Sequence, residues 1–390
     1  MSETRHLRAV LECPTAPLHE SEVMAFISTF GSLRGLSETR DAYGNLVLTH
    51  EGHVGLPHEG HVGLPHEGHV GLPHEGHAPL TFLAATDHPG CEIVAVAGNI
   101  AEAIWHGELP AASIGDARLR FFGSNVPRAA RITSLSTRTT PGGEVVVDRL
   151  LLSPEGRVHV GDFGVLDFPG VSTEGEWLRA RGASQLVGTG LLLELLDRLV
   201  LGRLVLGRST ARVQAVFVRA SVLMHAGALA ALKSGIFLAG QSVISVHGCP
   251  EQPGASCGGG PVLRLGDALG LYDPGLCRAL AQMASRHHLS DGHPFQVAHL
   301  PVGHSDAGVL GLHGLSTAAI TVPIRGDGEL GQGRQPEWFC TSDALACVDL
   351  MATIISNWQG PETAIRVAAE RRALIAEAFA GSLPRLRGAS

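Results

Sequence analysis

The spacing of hydrophobic residues changes along the chain, and each spacing predicts a different kind of element. Apolar residues recur at helical spacing over residues 7–30, which predicts a helix. The turn sequence at residues 41–46 leads into a strand that ends near Thr49. A short apolar run at residues 79–85 predicts a buried strand, followed by a turn at residues 86–90. Functional side chains often lie at such strand ends.

Residues 93–167 carry a different pattern, with short alternating strands separated by glycine and proline turns. Strand-forming runs occur at residues 119–122, 144–147 and 157–160. The segment therefore predicts a small β-barrel that is inserted into another domain.

Helical and strand patterns alternate again after residue 167. Helices are predicted at residues 187–201, 226–234, 274–287, 344–357 and 362–380, and strands at residues 213–218, 242–246 and 318–323. This alternation predicts an α/β fold with a mostly parallel central sheet. We predict one α/β domain formed by residues 1–92 and 168–390, interrupted by the barrel of residues 93–167.

The eight-residue unit HEGHVGLP occurs three times between His50 and His77 and is followed by a partial HEGH. Each full unit contains one proline and two glycines, which rules out a regular helix or a sheet interior. Histidine-rich tracts can chelate zinc, nickel or copper, but this one lacks the HExxH helix of zinc proteases. We predict a flexible, solvated loop over residues 50–77, with metal sequestration as the less favoured role.

The composition of the chain argues against two classes of partner, nucleic acids and membranes. The formal net charge is −8 and the basic residues do not cluster, which argues against nucleic acid. The most apolar stretch, residues 191–206, is interrupted by charged residues, so a membrane partner is not expected either. The first ten residues lack the apolar core of a signal peptide, and the seven cysteines contain no CxxC pair. We therefore expect a cytoplasmic protein with reduced thiols.

Seven local phrases follow one another in a fixed order along the chain. They are DAYGNL (41–46), AATDHPG (84–90), VGDFGVLD (160–167), GASQLVG (182–188), FVRASVLMHAGA (217–228), GGGPVLRLGD (258–267) and VPI (322–324). In this order they resemble the tetrahedral (TET) aminopeptidases, also called the glutamyl aminopeptidase family. The resemblance implies a zinc-aminopeptidase-like three-layer α/β domain, whose barrel insert supports dimers and a shell of up to twelve subunits.

The resemblance also implies a chemistry. The family uses two zinc or cobalt ions, bridged by a carboxylate, to acidify a water that attacks the peptide carbonyl. Such a site needs histidine and carboxylate ligands and a free glutamate as the base. The family base position holds Ser221 in this chain. The family ligand positions hold Ala85, Ser184, Val222, His247 and Gly328, and the aspartate that orients the site is kept as Asp87.

Neutral alanine, serine and valine side chains cannot hold a divalent ion against water. We therefore expect no catalytic residue, no metal ligand and no cofactor. The leading hypothesis is a catalytically inactive homologue that forms a homo-oligomer, with a role in assembly or in binding a ligand such as a peptide in the emptied cleft.

Two alternatives remain. An active metal-dependent hydrolase could use a rebuilt site around His247, because the fold would bring strand ends together. The residual candidates for such a site are Asp87, His88, His247, His304 and Asp306, with His225 nearby in the same cleft. Ser221 as a nucleophile beside His225 is a weaker idea, since no Gly-x-Ser-x-Gly sequence surrounds it. A second tandem duplication repeats the five-residue unit RLVLG over residues 198–207. The two duplications and the lost ligands would also fit a decaying gene product.

Overall fold

The fold is taken from a computed structural model, which describes residues 4–51, 79–114, 116–123, 127–140, 142–202, 212–238, 240–292, 294–326, 336–358, 369 and 372–377. The predicted repeat loop lies outside the described residues from residue 52 onward. Gly328 and most of the helix predicted at residues 362–380 also lie outside them.

The described helices are interspersed with runs of strands along the chain. The helices are α1 (Arg5–Glu12), α2 (Ser21–Leu33), α3 (Ala111–Ile114), α4 (Ala183–Val200), α5 (Ala226–Lys233), α6 (Pro274–Asp291), α7 (Asp306–Leu312) and α8 (Thr341–Asn357). The strands of the first half are β1 (Ser37–Arg40), β2 (Leu46–His50), β3 (Leu80–Ala85), β4 (Gly90–Ala97), β5 (Ile100–His106), β6 (Arg118–Phe122), β7 (Arg128–Thr139), β8 (Val145–Pro154) and β9 (Phe163–Leu166). Those of the second half are β10 (Ser172–Glu174), β11 (Trp177–Ala180), β12 (Val213–Val218), β13 (Ser242–Pro250), β14 (Val262–Arg264), β15 (Gly266–Asp267), β16 (Gly270–Leu271), β17 (Gln296–Ala298), β18 (Ser316–Arg325) and β19 (Glu337–Cys340).

The main sheet has eleven strands, nine of which follow the order β1-β2-β12-β3-β13-β18-β19-β11-β10, while β14 and β17 branch from β18. The four central strands β12, β3, β13 and β18 are parallel to one another, and the flanking strands are antiparallel. The carboxyl ends of the four parallel strands therefore lie at one edge, where ligands of open α/β sheets bind. The predicted fold class, a mostly parallel α/β sheet with a barrel, is confirmed.

Helix α4 packs closely against this sheet. Its sequence is apolar on almost every side, and all but three of its residues are buried, as expected for a helix enclosed by the core. Two glycines allow its neighbours to approach closely. A Cβ placed on Gly188 would lie 1.8 Å from the carbonyl oxygen of Val246 in β13, and one on Gly190 would lie 2.6 Å from the Cα of Leu7 in α1.

The second unit is a closed barrel with the strand order β4-β5-β8-β7-β6-β9. Its strands run from Gly90 to Leu166. Alternate residues point inward to a separate core that includes Trp105, Phe121 and Leu150, which explains the alternating sequence pattern. The exact domain boundaries at residues 92/93 and 167/168 stay a prediction.

Two local predictions were wrong. The single helix predicted over residues 7–30 is two helices, because the segment between α1 and α2 contains Pro14 and Pro17 and places Leu18 at a φ of 71°. Proline removes a helical N–H, and a positive φ is incompatible with a continuous right-handed helix. Residues 157–160, predicted as a strand, form no strand, and the chain turns there before β9.

None of the described helices is long and apolar enough to cross a membrane. The seven cysteines are all free thiols.

The close contact at Gly188 gives a stability prediction. The Gly188→Ala variant should lower the free energy of unfolding by about 3 kcal/mol or more, since the new Cβ must push α4 away from β13. Urea denaturation followed by circular dichroism measures the change. The control is Gly142→Ala, whose Cβ would meet nothing nearer than the Thr140 hydroxyl at 3.7 Å, and which should change the value by less than about 0.5 kcal/mol. Equal effects of the two variants would contradict this account.

Candidate functional site

The candidate site lies where β3 ends, in the turn predicted from the sequence. Ala85 is the last residue of β3, and the carboxylate of Asp87 follows it, fully buried. One oxygen of Asp87 accepts the backbone N–H of Ser221 at 2.8 Å, and the other accepts that of Val222 at 3.0 Å. Burial, and then the nearby carboxylate of Glu20, raise the pKa of Asp87 to about 7, although both hydrogen bonds act in the opposite direction.

The turn that Asp87 holds follows β12 and is conformationally strained. Ala220, Met224 and His225 have positive φ angles of 47°, 53° and 59°. Each such non-glycine residue costs of order 1–3 kcal/mol, and such strain clusters at ligand and active sites. Glu20, also buried, supports the start of the turn: it accepts the backbone N–H of Ala220 at 2.9 Å and pairs with the guanidinium of Arg219 at 2.8 Å.

Four polar side chains form a hydrogen-bonded chain across the cleft. The hydroxyl of Ser221 donates to Asp306, with oxygen distances of 2.9 and 3.1 Å, and Nδ1 of His225 lies 2.7 Å from the same carboxylate. Nε2 of His225 lies 2.6 Å from Nδ1 of His304. Because the carboxylate accepts, Nδ1 of His225 carries a proton and donates to Asp306. Burial alone would raise the pKa of Asp306, but His225 and the Ser221 hydroxyl outweigh it and lower that pKa.

This arrangement does not activate Ser221. In a serine–histidine–aspartate triad the serine faces one ring nitrogen and the carboxylate faces the other. Here the Ser221 oxygen lies 3.5 Å from Nδ1, the nitrogen that faces Asp306, while Nε2 faces His304. Ser221 therefore donates its hydrogen bond to the carboxylate and not to an imidazole nitrogen, unlike the serine of such a triad.

His247 lies on β13 at the same edge of the sheet and has a cation beside it. Its Nε2 is 3.4 Å from a guanidinium nitrogen of the buried Arg264, and its Nδ1 is 3.3 Å from the hydroxyl of Ser245. Burial, followed by the charge of Arg264, lowers the pKa of His247 to about 3. A divalent ion on this ring would have to displace the guanidinium. The other N–H groups of Arg264 donate to the carbonyls of Gly266, Leu300, Val302 and Gly303.

Ser184 stands at the first turn of α4 and pairs with a carboxylate from another part of the chain. Its backbone N–H and its hydroxyl donate to the two oxygens of the buried Glu337, at 2.7 and 2.8 Å. The negative charge is thereby placed at the positive end of the helix. A Cβ on Gly248, the neighbour of His247, would lie 2.8 Å from the Cα of Ser184, so this pair borders the cleft. Sequence reasoning missed Glu337, because no local pattern links it to Ser184.

The structure brings some of the residues predicted for the site together and leaves others apart. Hydrogen bonds join Asp87, Ser221 and Val222 to the pair of His304 and Asp306. His88 turns away from them: its Nδ1 lies 2.9 Å from the carbonyl of Pro89, and its Nε2 accepts from Arg181 at 3.3 Å. Burial and the charge of Arg181 lower the pKa of His88 to about 3. Gly328, the remaining candidate, lies outside the described residues.

The described side chains of the cleft show no arrangement that holds a pair of divalent ions. A dinuclear site needs a bridging carboxylate and further anionic or imidazole ligands. The oxygens of Asp87, Asp306 and Glu337 all accept hydrogen bonds from the chain itself. Within the part of the chain that the structure describes, no group of three or more histidine, cysteine, aspartate or glutamate side chains is arranged to hold a metal ion.

Part of the chain is similar to a known protein family. Residues 153–326, from the barrel to the end of the parallel sheet, match the family model of the M42 glutamyl aminopeptidases. This region of the chain is therefore similar to the M42 glutamyl aminopeptidases. The family resemblance inferred from the seven phrases is thereby confirmed. A search of the curated proteins gave no match.

Several solved structures share the fold of this chain. A TET aminopeptidase from a marine sediment Thaumarchaeota archaeon is 14% identical, with a TM-score of 0.72, covering 94% of this chain and 98% of that chain. An aminopeptidase from Desulfurococcus kamchatkensis is 15% identical, with a TM-score of 0.70, covering 94% and 97%. The Pyrococcus horikoshii TET1 peptidase is 18% identical, with a TM-score of 0.69, covering 91% and 99%. At these identities the likeness shows the fold alone.

The raised pKa of Asp87 predicts a pH dependence of stability. Its folded-state pKa of about 7 lies above its usual value of 3.8, so between these values the folded chain holds a proton that the unfolded chain releases. The stabilisation from this group is complete below the lower value and is lost as pH rises to about 7. Urea unfolding should show a loss on the order of 4 kcal/mol across that window.

The Asp87→Asn variant is the matched control for this prediction. It keeps one acceptor oxygen but cannot titrate, so its stability should lack this part of the pH slope. Carbon-13 NMR of the aspartate carboxyl groups follows the same titration directly in the unaltered chain. An Asp87 carboxyl that titrates near pH 4 would contradict the burial argument.

Proposed function

We propose that this chain keeps the M42 aminopeptidase fold without its dinuclear chemistry, and that it acts as a binding or assembly subunit. The observation that carries the proposal is the internal pairing of the buried carboxylates of the cleft. Asp87 accepts hydrogen bonds from two backbone N–H groups. Asp306 accepts them from Ser221 and His225, and Glu337 accepts one from the Ser184 hydroxyl. Each of these buried carboxylates therefore already has hydrogen-bond donors within the chain.

The residue types at the strand ends support the same proposal. Alanine at position 85 and valine at position 222 offer no donor atom to a metal, and Ser221 is committed to Asp306. The one imidazole left at a family ligand position, His247, accepts from the guanidinium of Arg264. We propose that the chain takes up neither zinc nor cobalt and that its emptied cleft is available to a ligand such as a peptide.

A metal and activity measurement tests this proposal. The full chain, purified after growth with added zinc or cobalt, should retain no tightly bound ion, hydrolyse aminoacyl p-nitroanilides only at background rate, and unfold at the same temperature with and without EDTA. Independence from EDTA is expected because the cleft carboxylates are already hydrogen-bonded. Two retained ions per chain together with aminopeptidase activity would overturn the proposal.

The alternative of a hydrolase rebuilt around His247 makes the opposite prediction. Metal-dependent turnover would appear and the His247→Ala variant would abolish it, whereas a binding subunit shows no turnover in either form. The proximity of Arg264 disfavours this alternative, because the guanidinium repels a divalent ion. A decaying gene product is the third possibility, and cooperative unfolding of well-expressed protein would speak against it.

We also propose that the chain forms a homo-oligomer through its barrel, with up to twelve subunits. The Pyrococcus horikoshii TET1 peptidase assembles into a tetrahedron or an octahedral shell, and another TET1 structure is a dodecamer. In this chain the large apolar side chains of Val96, Ile100 and Leu151 are exposed on the adjacent strands β4, β5 and β8. Apolar patches of this kind are typical of protein–protein interfaces.

Light scattering coupled to size exclusion tests the assembly. The unaltered chain should elute at a multiple of its mass of 40.8 kDa, and the Leu151→Asp variant should shift toward the monomer because a charge is buried at the interface. Leu33→Asp is the control and should leave the mass unchanged; this leucine at the end of α2 is more exposed than Leu151, at 74% against 42%. A monomeric unaltered chain would refute the assembly proposal.

A further inference from the structure

The carboxylate–histidine pair in the cleft ends on a third side chain, the imidazole of His304. Asp306 lies 2.7 Å from Nδ1 of His225, and Nδ1 of His304 lies 2.6 Å from the other ring nitrogen, Nε2. In a serine–histidine–aspartate triad these two nitrogens face the carboxylate and the hydroxyl of the nucleophile. His304 therefore occupies the position of the nucleophile, which Ser221 does not.

The positions of the protons show which nitrogen of His304 carries a lone pair. Nδ1 of His225 holds the proton that it donates to Asp306, so a neutral His225 has a lone pair on Nε2. Two lone pairs would repel each other across 2.6 Å, so in the neutral pair the proton between the rings belongs to Nδ1 of His304. Nε2 of His304 then has a lone pair. Partial burial, and then His225, lower the pKa of His304, which favours this neutral form above pH 7.

His304 is exposed, although the backbone on both sides of it is fixed. The carbonyl of Gly303 accepts the N–H of Ala268 at 3.0 Å, and the N–H of Ser305 donates to the buried Asp267 at 2.9 Å. Nδ1 of His304 faces a buried partner, so the exposed side of the ring is the one that carries Nε2. This nitrogen has no hydrogen-bond partner among the described residues.

We propose that His304 is a nucleophile that takes an acyl group from a neutral activated ester. The lone pair of Nε2 attacks the carbonyl carbon and forms an N–C bond, and the C–O bond to the leaving group breaks, so that the leaving group departs as its anion. The proton on Nδ1 of His304 passes to Nε2 of His225. The products are a neutral N-acyl histidine and an imidazolium that pairs with the Asp306 carboxylate.

The charges around His304 favour a neutral electrophile. The carboxylates of Glu108, Asp267 and Asp306 all act electrostatically on the His304 ring. They would repel an anionic phosphoryl group, whereas the carbonyl group of an ester carries no net charge. This inference goes beyond the proposed function, because it requires neither a metal ion nor a peptide in the cleft.

Diethyl pyrocarbonate, a neutral activated acyl reagent, tests the proposal on the full chain. It is added in limiting amount with EDTA present, and peptide mass spectrometry gives the rate of carbethoxylation of each histidine. His313 is the internal reference, because it is exposed and its Nδ1 lies 2.9 Å from the Val309 carbonyl, which orients the ring but does not take up a proton. His304 should react at least about tenfold faster than His313, a modest share of the about 10²–10⁴-fold typical of general-base assistance. Equal rates would overturn the proposal.

Two variants test the role of the pair behind the nucleophile. His225→Gln removes the base, and Asp306→Asn removes the charge that stabilises the imidazolium, so each should lower the rate at His304 to that of His313. The control is Asp349→Asn, at a carboxylate of α8 that pairs with an arginine, and it should leave the rate unchanged. Circular dichroism checks that each variant is folded, and the ratio of rates in the unaltered chain is decisive even where one is not. Fast reaction of His304 in both folded variants would show that the pair does not assist it and would overturn the assignment.

Discussion

The hydrogen bonds from the turn after β12 to the buried carboxylate of Asp87 hold the centre of the cleft together. The turn contains three non-glycine residues at positive φ, and a backbone of that kind persists only where fixed partners over-determine it. Asp87 supplies two of those partners and Glu20 another. The turn in its strained form then directs Ser221 and His225 toward Asp306. The geometry of the cleft thus depends on a carboxylate that never reaches its surface.

Metal ions and hydrogen-bond donors can both stabilise a negatively charged group that burial has removed from water. This chain uses donors that it supplies itself, and they come from distant parts of the sequence. Asp87 accepts hydrogen bonds from backbone amides, and Asp306 accepts them from a serine and a histidine. Glu337 accepts them from the first turn of α4. Each of these three acceptors therefore has its hydrogen-bond donors within the chain itself.

The sequence predicted the elements of the fold much better than the contacts of the site. Alternation in residues 93–167 predicted the barrel, and the short apolar run ending at Ala85 predicted the strand that positions Asp87. Periodicity cannot tell which polar groups meet across long separations, such as Ser184 and Glu337, 153 residues apart. It also gave no sign that Arg264 would lie beside His247, since that contact depends on how β14 pairs with β18. The break between α1 and α2 was visible as Pro14 and Pro17, but helical spacing on both sides concealed it.

The guanidinium beside His247 has a consequence for how the sequence can change. Arg264 is fixed by four carbonyl groups, and its charge stays in the cleft whatever stands at positions 221 and 222. A glutamate introduced at position 222 alone would add a negative charge next to Asp87, whose own ionisation is already unfavourable. That substitution alone would therefore destabilise the fold, and a second change that places a compensating cation beside the new carboxylate would have to accompany it.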